Sequence, residues 1–411
     1  MRKGANNVRE NIGRCGDTKL RYLVAVDYHF LDAPGGAPRV AYDIAKLARD
    51  AGHDVTMVCH HPNATHDDLG TQDGIQVLRV GQTSLPKWDP RRTFSSVQNV
   101  QQAVRRFFGK QSWDRLHIHS IMTGLGASLA LDSRTHRCMT LHSPVSLEYA
   151  ALGPSTFLQK AKHFLGVPLL VWMERKLLHQ SQRIHVLSRF NARYIEQTYP
   201  SLANRISVIP YWRQDILKRT HTKEAARAAL GWDLNKVIFF TVRNHIARTG
   251  VGDAIEAIHP LAKAGRCELI IAGDGPLRPT YQQHVAEADL EQEIRFLGRI
   301  PDQTLHLAYQ AADAFLLPTR DLECFGLILI EAMAFGCPVI SSDSSAIPEV
   351  MNPILPQYVY PAGNVPALTK KLTQFLNKEL PLPSADEITQ YVEDTYGPQR
   401  VIPMYLEWLS A

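Results

Sequence analysis

No apolar run in these 411 residues approaches the length of a membrane span, and Pro168 interrupts the longest one, Phe164 to Met173. The opening MRKGANNVRENIGRCGD lacks the apolar core of a secretory signal and reads as a disordered leader over residues 1–19. Cysteine is scarce: Cys15, Cys59, Cys138, Cys267, Cys324 and Cys337 form no C-x-x-C pair. Several lie in strand-like runs, so reduced thiols in a cytoplasm are expected rather than a disulfide framework. Neither sign of charge dominates. A formal net charge of +5 gives no case for nucleic acid, while allowing an anionic small molecule or peripheral contact with the cytoplasmic face of a membrane. There is no D-x-D after a strand and no histidine–carboxylate set with ligand spacing, so no metal and no cofactor are expected. No short repeat of the solenoid kind occurs.

What is present is ordinary globular composition, 45% hydrophobic and 21% charged, on a chain too long for one core. A strand-like run, Leu20 to Asp27, is followed by a loop, His29 to Pro38, and an amphipathic helix, Arg39 to Ala51. Val55 to Cys59 then returns as a strand. This β-loop-α-β opening predicts a parallel, doubly wound sheet. Further strand-like runs lie at 75–80, 116–119, 138–141, 183–186 and 206–209. A polar stretch, Tyr211 to Arg227, reads as a linker, after which strands and helices alternate again from Val237 to Ala311. Two Rossmann-like domains facing a cleft are therefore expected, over 20–212 and 213–385. Asp386 to Leu409 is helical in pattern.

The stretch Pro318 to Val350, PTRDLECFGLILIEAMAFGCPVISSDSSAIPEV, carries the most chemistry. It reads as strand, loop, helix, strand, with the helix starting near Gly326. A helix N-terminus offers unpaired N–H groups and partial positive charge, which suit a diphosphate. With Glu323 in the loop before the helix, Glu323 and Glu331 flank that anion site. One carboxylate can then accept from a sugar and the other from a ribose, an arrangement that fits a nucleotide-sugar.

This segment resembles the E-x7-E element of retaining GT-B glycosyltransferases of glycosyltransferase family four. Other matches come in the family's order: Gly35-Gly36 after the first strand, Leu116-His-Ile-His119, Thr140-Leu-His142-Ser143, Ile270-Ile-Ala-Gly273-Asp-Gly275-Pro276 and Phe296-Leu-Gly298-Arg299. The resemblance runs from about Arg21 to the C-terminus. It implies a GT-B fold and a retaining, metal-independent hexosyl transfer from a nucleoside-diphosphate sugar. It also implies a terminal helix, 386–411, crossing back to the first domain. The acceptor, whether sugar, lipid-linked or another small molecule, is left open.

By that resemblance Glu331 holds the ribose and Glu323 the donor sugar, while Cys324, Phe325, Gly326 and Leu327 present N–H groups to the phosphates. Gly326 is read as a place where the backbone approaches the ligand and nothing bulky fits. The family's arginine and lysine after the first strand of the second domain are replaced here. Thr241-Val-Arg243-Asn244-His245-Ile-Ala-Arg248-Thr249-Gly250 puts Asn244 and Thr249 at those positions, leaving Arg243 and Arg248 as the cations able to bind phosphate. Gly273, Gly298 and Arg299 belong to the strand ends bordering the nucleotide, and Gly35 and Gly36 to a loop passing the donor phosphate or acceptor. His142 is assigned to the reacting centre, and His119 and Ser143 to the acceptor pocket. His117 is read as structural, and Ser188 equally well as a helix cap. Phe157 to Arg183, with Lys160, Lys162, Arg175 and Lys176 among apolar residues, fits a membrane-surface helix but is read as one packed on the first sheet. Two other functions remain open: a glycoside phosphorylase or epimerase on the same scaffold, and a non-catalytic nucleotide-sugar-binding subunit.

Overall fold

The computed structural model describes residues 19–33, 35–86, 89, 91–152, 157–212 and 219–410, with side chains 152–165 left undescribed. The leader expected over 1–19 lies outside these residues except for Lys19. Parts of the loops 85–94 and 143–156 and the side chains of Lys160 and Lys162 also lie outside. The chain divides into two units, 1–214 with 399–411, and 215–398.

The first unit is built on strands β1 (Arg21–Ala25), β2 (Asp54–His60), β3 (Asp68–Gln72), β4 (Ile75–Val80), β5 (Arg115–Ile118), β6 (His136–Leu141), β7 (Arg183–Val186) and β8 (Ile206–Val208). Their order is β3-β4-β2-β1-β5-β6-β7-β8, parallel except for the β3–β4 pair. β1, β5, β6 and β7 are buried along most of their length, as expected of a sheet covered on both faces. Leu23, Leu116, Ile118, Met139 and Ile184 pack with Val100, Val104, Leu177 and Leu178 from the helices Arg92–Phe108 and Phe157–Gln180. From β1 the chain winds one way to β2, and from β4 it crosses to β5 on the other side. The switch point therefore lies between the carboxyl ends of β1 and β5.

The second unit has strands β9 (Val237–Val242), β10 (Cys267–Ala272), β11 (Ile294–Gly298), β12 (Ala314–Leu317), β13 (Val339–Ser342) and β14 (Val359–Tyr360). They are ordered β11-β10-β9-β12-β13-β14 and all parallel. Every residue of β10 and β12, CELIIA and AFLL, is buried, and all are apolar except Glu268, which pairs with Lys236 and Arg295. The switch point here lies between β9 and β12. Arg243 to Gly250 follows one strand and Pro318 to Gly326 the other.

Several expectations are corrected. The first helix starts at Gly36, not Arg39, so the glycine pair opens the helix instead of lying within a loop. The boundary between the units, 214/215, falls inside the expected linker Tyr211–Arg227, but that stretch also holds buried Tyr211 and Trp212 and the start of a helix, Lys223–Leu230, capped by the Thr222 side chain. The terminal segment is two helices, Ala385–Tyr396 and Pro398–Ser410, broken where Gly397 is extended. Only the second returns to the first unit: Trp408 packs on His117 and His185, and Tyr22 donates to the carbonyl of Leu409 at 2.6 Å. The antiparallel edge strand β3 went unread because DLGTQ has no strand-like alternation. The helix Phe157–Gln180 runs through Pro168, and among the described residues no helix is long and apolar enough to cross a membrane.

Candidate active site

Because β9 and β12 are neighbours, the loops leaving their carboxyl ends meet. Arg243, one residue past β9, donates to Glu323 Oε2 at 3.0 Å and to Thr319 Oγ1 at 2.9 Å. Thr319 stands two residues past β12 and is fully buried. The Arg243 side chain is 8% exposed and Glu323 18%, so this ion pair is held largely out of water. Ser342, at the end of β13, donates to the Thr319 carbonyl at 2.6 Å and ties the third strand to the same corner. Arg248 donates to the carbonyl of Leu322 at 2.9 Å, one residue before Glu323. The two arginines proposed for phosphate thus converge on the E-x7-E loop, each already holding part of it.

The close approach of the two loops depends on Gly250. Its φ is 72°, and a β-carbon there would lie 1.7 Å from the carbonyl oxygen of Pro318, so only glycine fits. Gly326 is constrained differently within the fold. A β-carbon on it would meet nothing nearer than 3.5 Å; its φ of 84° as the left-handed cap of helix Leu327–Ala334 is what selects glycine. That helix begins as expected, with Leu329 N–H donating to the Gly326 carbonyl at 3.0 Å. Cys324, Phe325, Gly326 and Leu327 therefore form its entry, and Glu331 sits partly buried one turn along. Gly273 N–H donates to the Gly298 carbonyl at 2.7 Å, joining the ends of β10 and β11. Arg299, next along, is exposed. No hydrogen bond or ion pair found among the described residues draws it into the cluster.

In the first unit a second polar cluster occupies one face of the sheet. His119 Nδ1 and His142 Nε2 are 3.0 Å apart. His117 Nε2 lies 2.8 Å from Thr140 Oγ1, which lies 3.0 Å from His185 Nδ1. His185 Nε2 in turn lies 2.8 Å from the carbonyl oxygen of Ile209. Burial pushes the His142 imidazole down to about 3 and His185 to about 4, and holds His117 and His119 well below the ordinary histidine value. All four are neutral at neutral pH. Ser143 follows His142, with a buried hydroxyl that finds no partner among the described residues. Ser188 caps the helix Arg189–Thr198 by accepting from Asn191 N–H, and Asn191 donates to the His142 carbonyl at 3.1 Å. Gly35 is extended, with φ 179°, and has only ordinary contacts, so nothing within the fold requires glycine there.

Sequence reasoning missed Thr319, Thr140, His185 and Glu174. Thr319 follows the strand that borders the switch point, a position that topology singles out. Glu174 is wholly buried and accepts from Val145 N–H at 2.8 Å, just past His142 and Ser143. Burial raises its carboxyl to about 7. Nothing in its helical surroundings marks it. Among the described residues no group of three or more His, Cys, Asp or Glu could hold a metal ion.

Two parallel α/β sheets, each with its own switch point, define a two-domain architecture of the GT-B glycosyltransferase class. Residues 35–212 match the glycosyl transferase 4-like domain and residues 222–395 match glycosyl transferases group 1. The amylovoran biosynthesis glycosyltransferase AmsK of Erwinia amylovora is 35% identical over 138 residues, 32% of this chain and 34% of that protein. The phosphatidyl-myo-inositol mannosyltransferase of Mycolicibacterium smegmatis is 23% identical over 342 residues, 81% of this chain and 78% of that protein. This chain therefore spans about a third of the first relative and over three quarters of the second. Among solved structures, sucrose-phosphate synthase from Thermosynechococcus elongatus shares the fold with a TM-score of 0.78, at 19% identity over 95% of this chain and 98% of that one. Anabaena HepE, solved with UDP-glucose, has a TM-score of 0.69 at 18% identity, over 95% and 99% of the two chains. The chain thus carries two successive domains of glycosyltransferase type, with the group 1 module in its second unit.

Proposed function

We propose that this chain is a retaining, metal-independent glycosyltransferase of family four that uses a nucleoside-diphosphate sugar. The observation that carries this reading is the meeting of Arg243, Thr319 and Glu323 at the switch point of the second sheet, beside the N-terminus of helix Leu327–Ala334. Two guanidinium groups, Arg243 and Arg248, and a helix N-terminus offer the departing diphosphate charge stabilisation without a metal. Glu331 takes the ribose hydroxyls and Glu323 the donor sugar. Binding of UDP-glucose by HepE, a protein of the same fold, supports the donor class.

In the reaction the bond from the anomeric carbon to the β-phosphate oxygen breaks. The acceptor hydroxyl forms its bond on the same face, and its proton passes to the departing phosphate. His142 orients the donor sugar, Gly35, Gly36 and Ser143 border the donor and acceptor, and the buried His119 acts on them through its contact with His142. The acceptor is a sugar, a lipid-linked saccharide or another small molecule, met in the cytoplasm or at its membrane face.

A thermal-shift panel of nucleoside-diphosphate sugars identifies the donor, since a ligand of the folded form raises apparent stability. Nucleotide release then measures turnover. Unchanged binding and release by the double variant Glu323→Gln, Glu331→Gln across the whole panel would sink this reading. Binding with no release under any acceptor would instead favour a non-catalytic subunit.

A further inference from the structure

The histidine face of the first sheet has a readable polarity. His185 Nε2 lies 2.8 Å from the Ile209 carbonyl, which can only accept, and 3.1 Å from the Tyr405 hydroxyl, which can donate or accept. A bare Nε2 would face the carbonyl's lone pairs at the shorter distance, so His185 carries its proton on Nε2 and leaves Nδ1 bare. Thr140 then donates its single hydroxyl proton to His185 Nδ1, at 3.0 Å. Having no second proton, Thr140 accepts from His117, which must be protonated on Nε2. That leaves His117 Nδ1 as a lone pair, and His117 Nδ1 is buried without a partner. The array thus leaves a bare acceptor, not an N–H, where nothing is available to bond. This is the less costly choice, because orphaned buried N–H groups are rarer than under-used acceptors.

The same choice fixes the next pair. His119 Nε2 is also buried without a partner, while its Nδ1 faces His142 Nε2 at 3.0 Å. Were His142 the donor, His119 would bury an orphaned Nε2–H. We propose that His119 is a positioning residue: its Nδ1–H donates to His142 Nε2 and holds His142 as the Nδ1–H tautomer. His142 Nδ1 has no partner among the described residues and is not among the buried unpaired atoms, so it offers an N–H donor to a ligand hydroxyl at the sheet's carboxyl edge. Free imidazole side chains favour the opposite tautomer, so the pairing with His119 selects the donor that His142 presents. This rests on the proposed role of His142 toward the donor sugar.

The test uses the full chain labelled with 15N-histidine. Long-range proton–nitrogen spectra assign each ring's tautomer without any ligand, and the His142 signals are those lost in His142→Gln. Wild type should show His142 protonated on Nδ1. His119→Leu should switch it to Nε2–H. His119→Asn, whose amide can place an N–H near the position of Nδ1, should keep it. In parallel, on the nucleotide-sugar that gives the largest thermal shift, His119→Leu should lower kcat for nucleotide release about tenfold with KM little changed. His119→Asn should restore most of that loss. An Nε2–H His142 in wild type overturns the proposal even if every variant folds poorly. So does a His119→Asn variant as slow as His119→Leu while both retain native spectra. Full turnover by His142→Gln would instead refute the catalytic role of His142 and leave the tautomer result standing on its spectra.

Discussion

The guanidinium of Arg243 grips the carboxylate of Glu323 across the ends of two adjacent strands, 80 positions apart in sequence. Neither residue is fully exposed, and Arg243 simultaneously holds Thr319. The pair fixes where Glu323 points, and a lysine could not reproduce the forked geometry.

Arg243→Lys should therefore fold but lose about 2 kcal/mol of transition-state binding, roughly thirtyfold in kcat/KM for the donor. Arg243→Ala should cost about 2–4 kcal/mol of stability, because it leaves a largely buried carboxylate unpaired. Adding Glu323→Gln to Arg243→Ala should recover part of that stability in denaturant titrations.

The two glutamates should separate in calorimetry. Glu331→Gln should weaken binding of the free nucleoside diphosphate and of the nucleotide-sugar alike, by about tenfold or more. Glu323→Gln should weaken only the nucleotide-sugar. Equal losses for both ligands in both variants would contradict the division of labour.

Glycine substitutions should rank by their surroundings. Gly250→Ala meets both a positive φ and the Pro318 carbonyl, and should cost about 3 kcal/mol or more. Gly326→Ala meets only the positive φ and should cost about 1–2 kcal/mol. Gly35→Ala should leave the urea midpoint unchanged, so any loss of turnover there reports on ligand contact.

Glu174 predicts a pH signature. Its carboxyl is raised to about 7 in the folded protein, from an ordinary value near 4.5. Over that window the folded state binds more protons than the unfolded one, so this group's contribution to stability falls as pH rises. Below 4.5 the penalty is absent; above 7 it is complete. Glu174→Gln should therefore become progressively more stable relative to wild type from pH 4.5 to 7, approaching about 3 kcal/mol. Paired urea melts across that range check it, and contributions from the histidines cancel in the difference.

Much of the fold was legible because each domain repeats strand and helix with buried apolar strands, and Gly326 sits where a helix had to start. The E-x7-E segment was legible because its loop and helix are contiguous in sequence. Thr319 and the Arg243–Glu323 pairing were not, since they depend on which strands lie side by side. The histidine array was seen only as isolated strand ends; Thr140, His185 and Tyr405 join it through register and through a helix over 200 residues away. The glycine pair misled because its place after β1 suggested a loop, whereas Gly36 begins a helix.

The chain's last helix belongs to the unit that the chain left behind at residue 214. Dividing the gene at that point would give a first fragment stripped of the indole and phenol that cover its histidines. Someone wishing to study that half alone must splice residues 399–411 back onto it, by a short tether or by supplying them as a peptide.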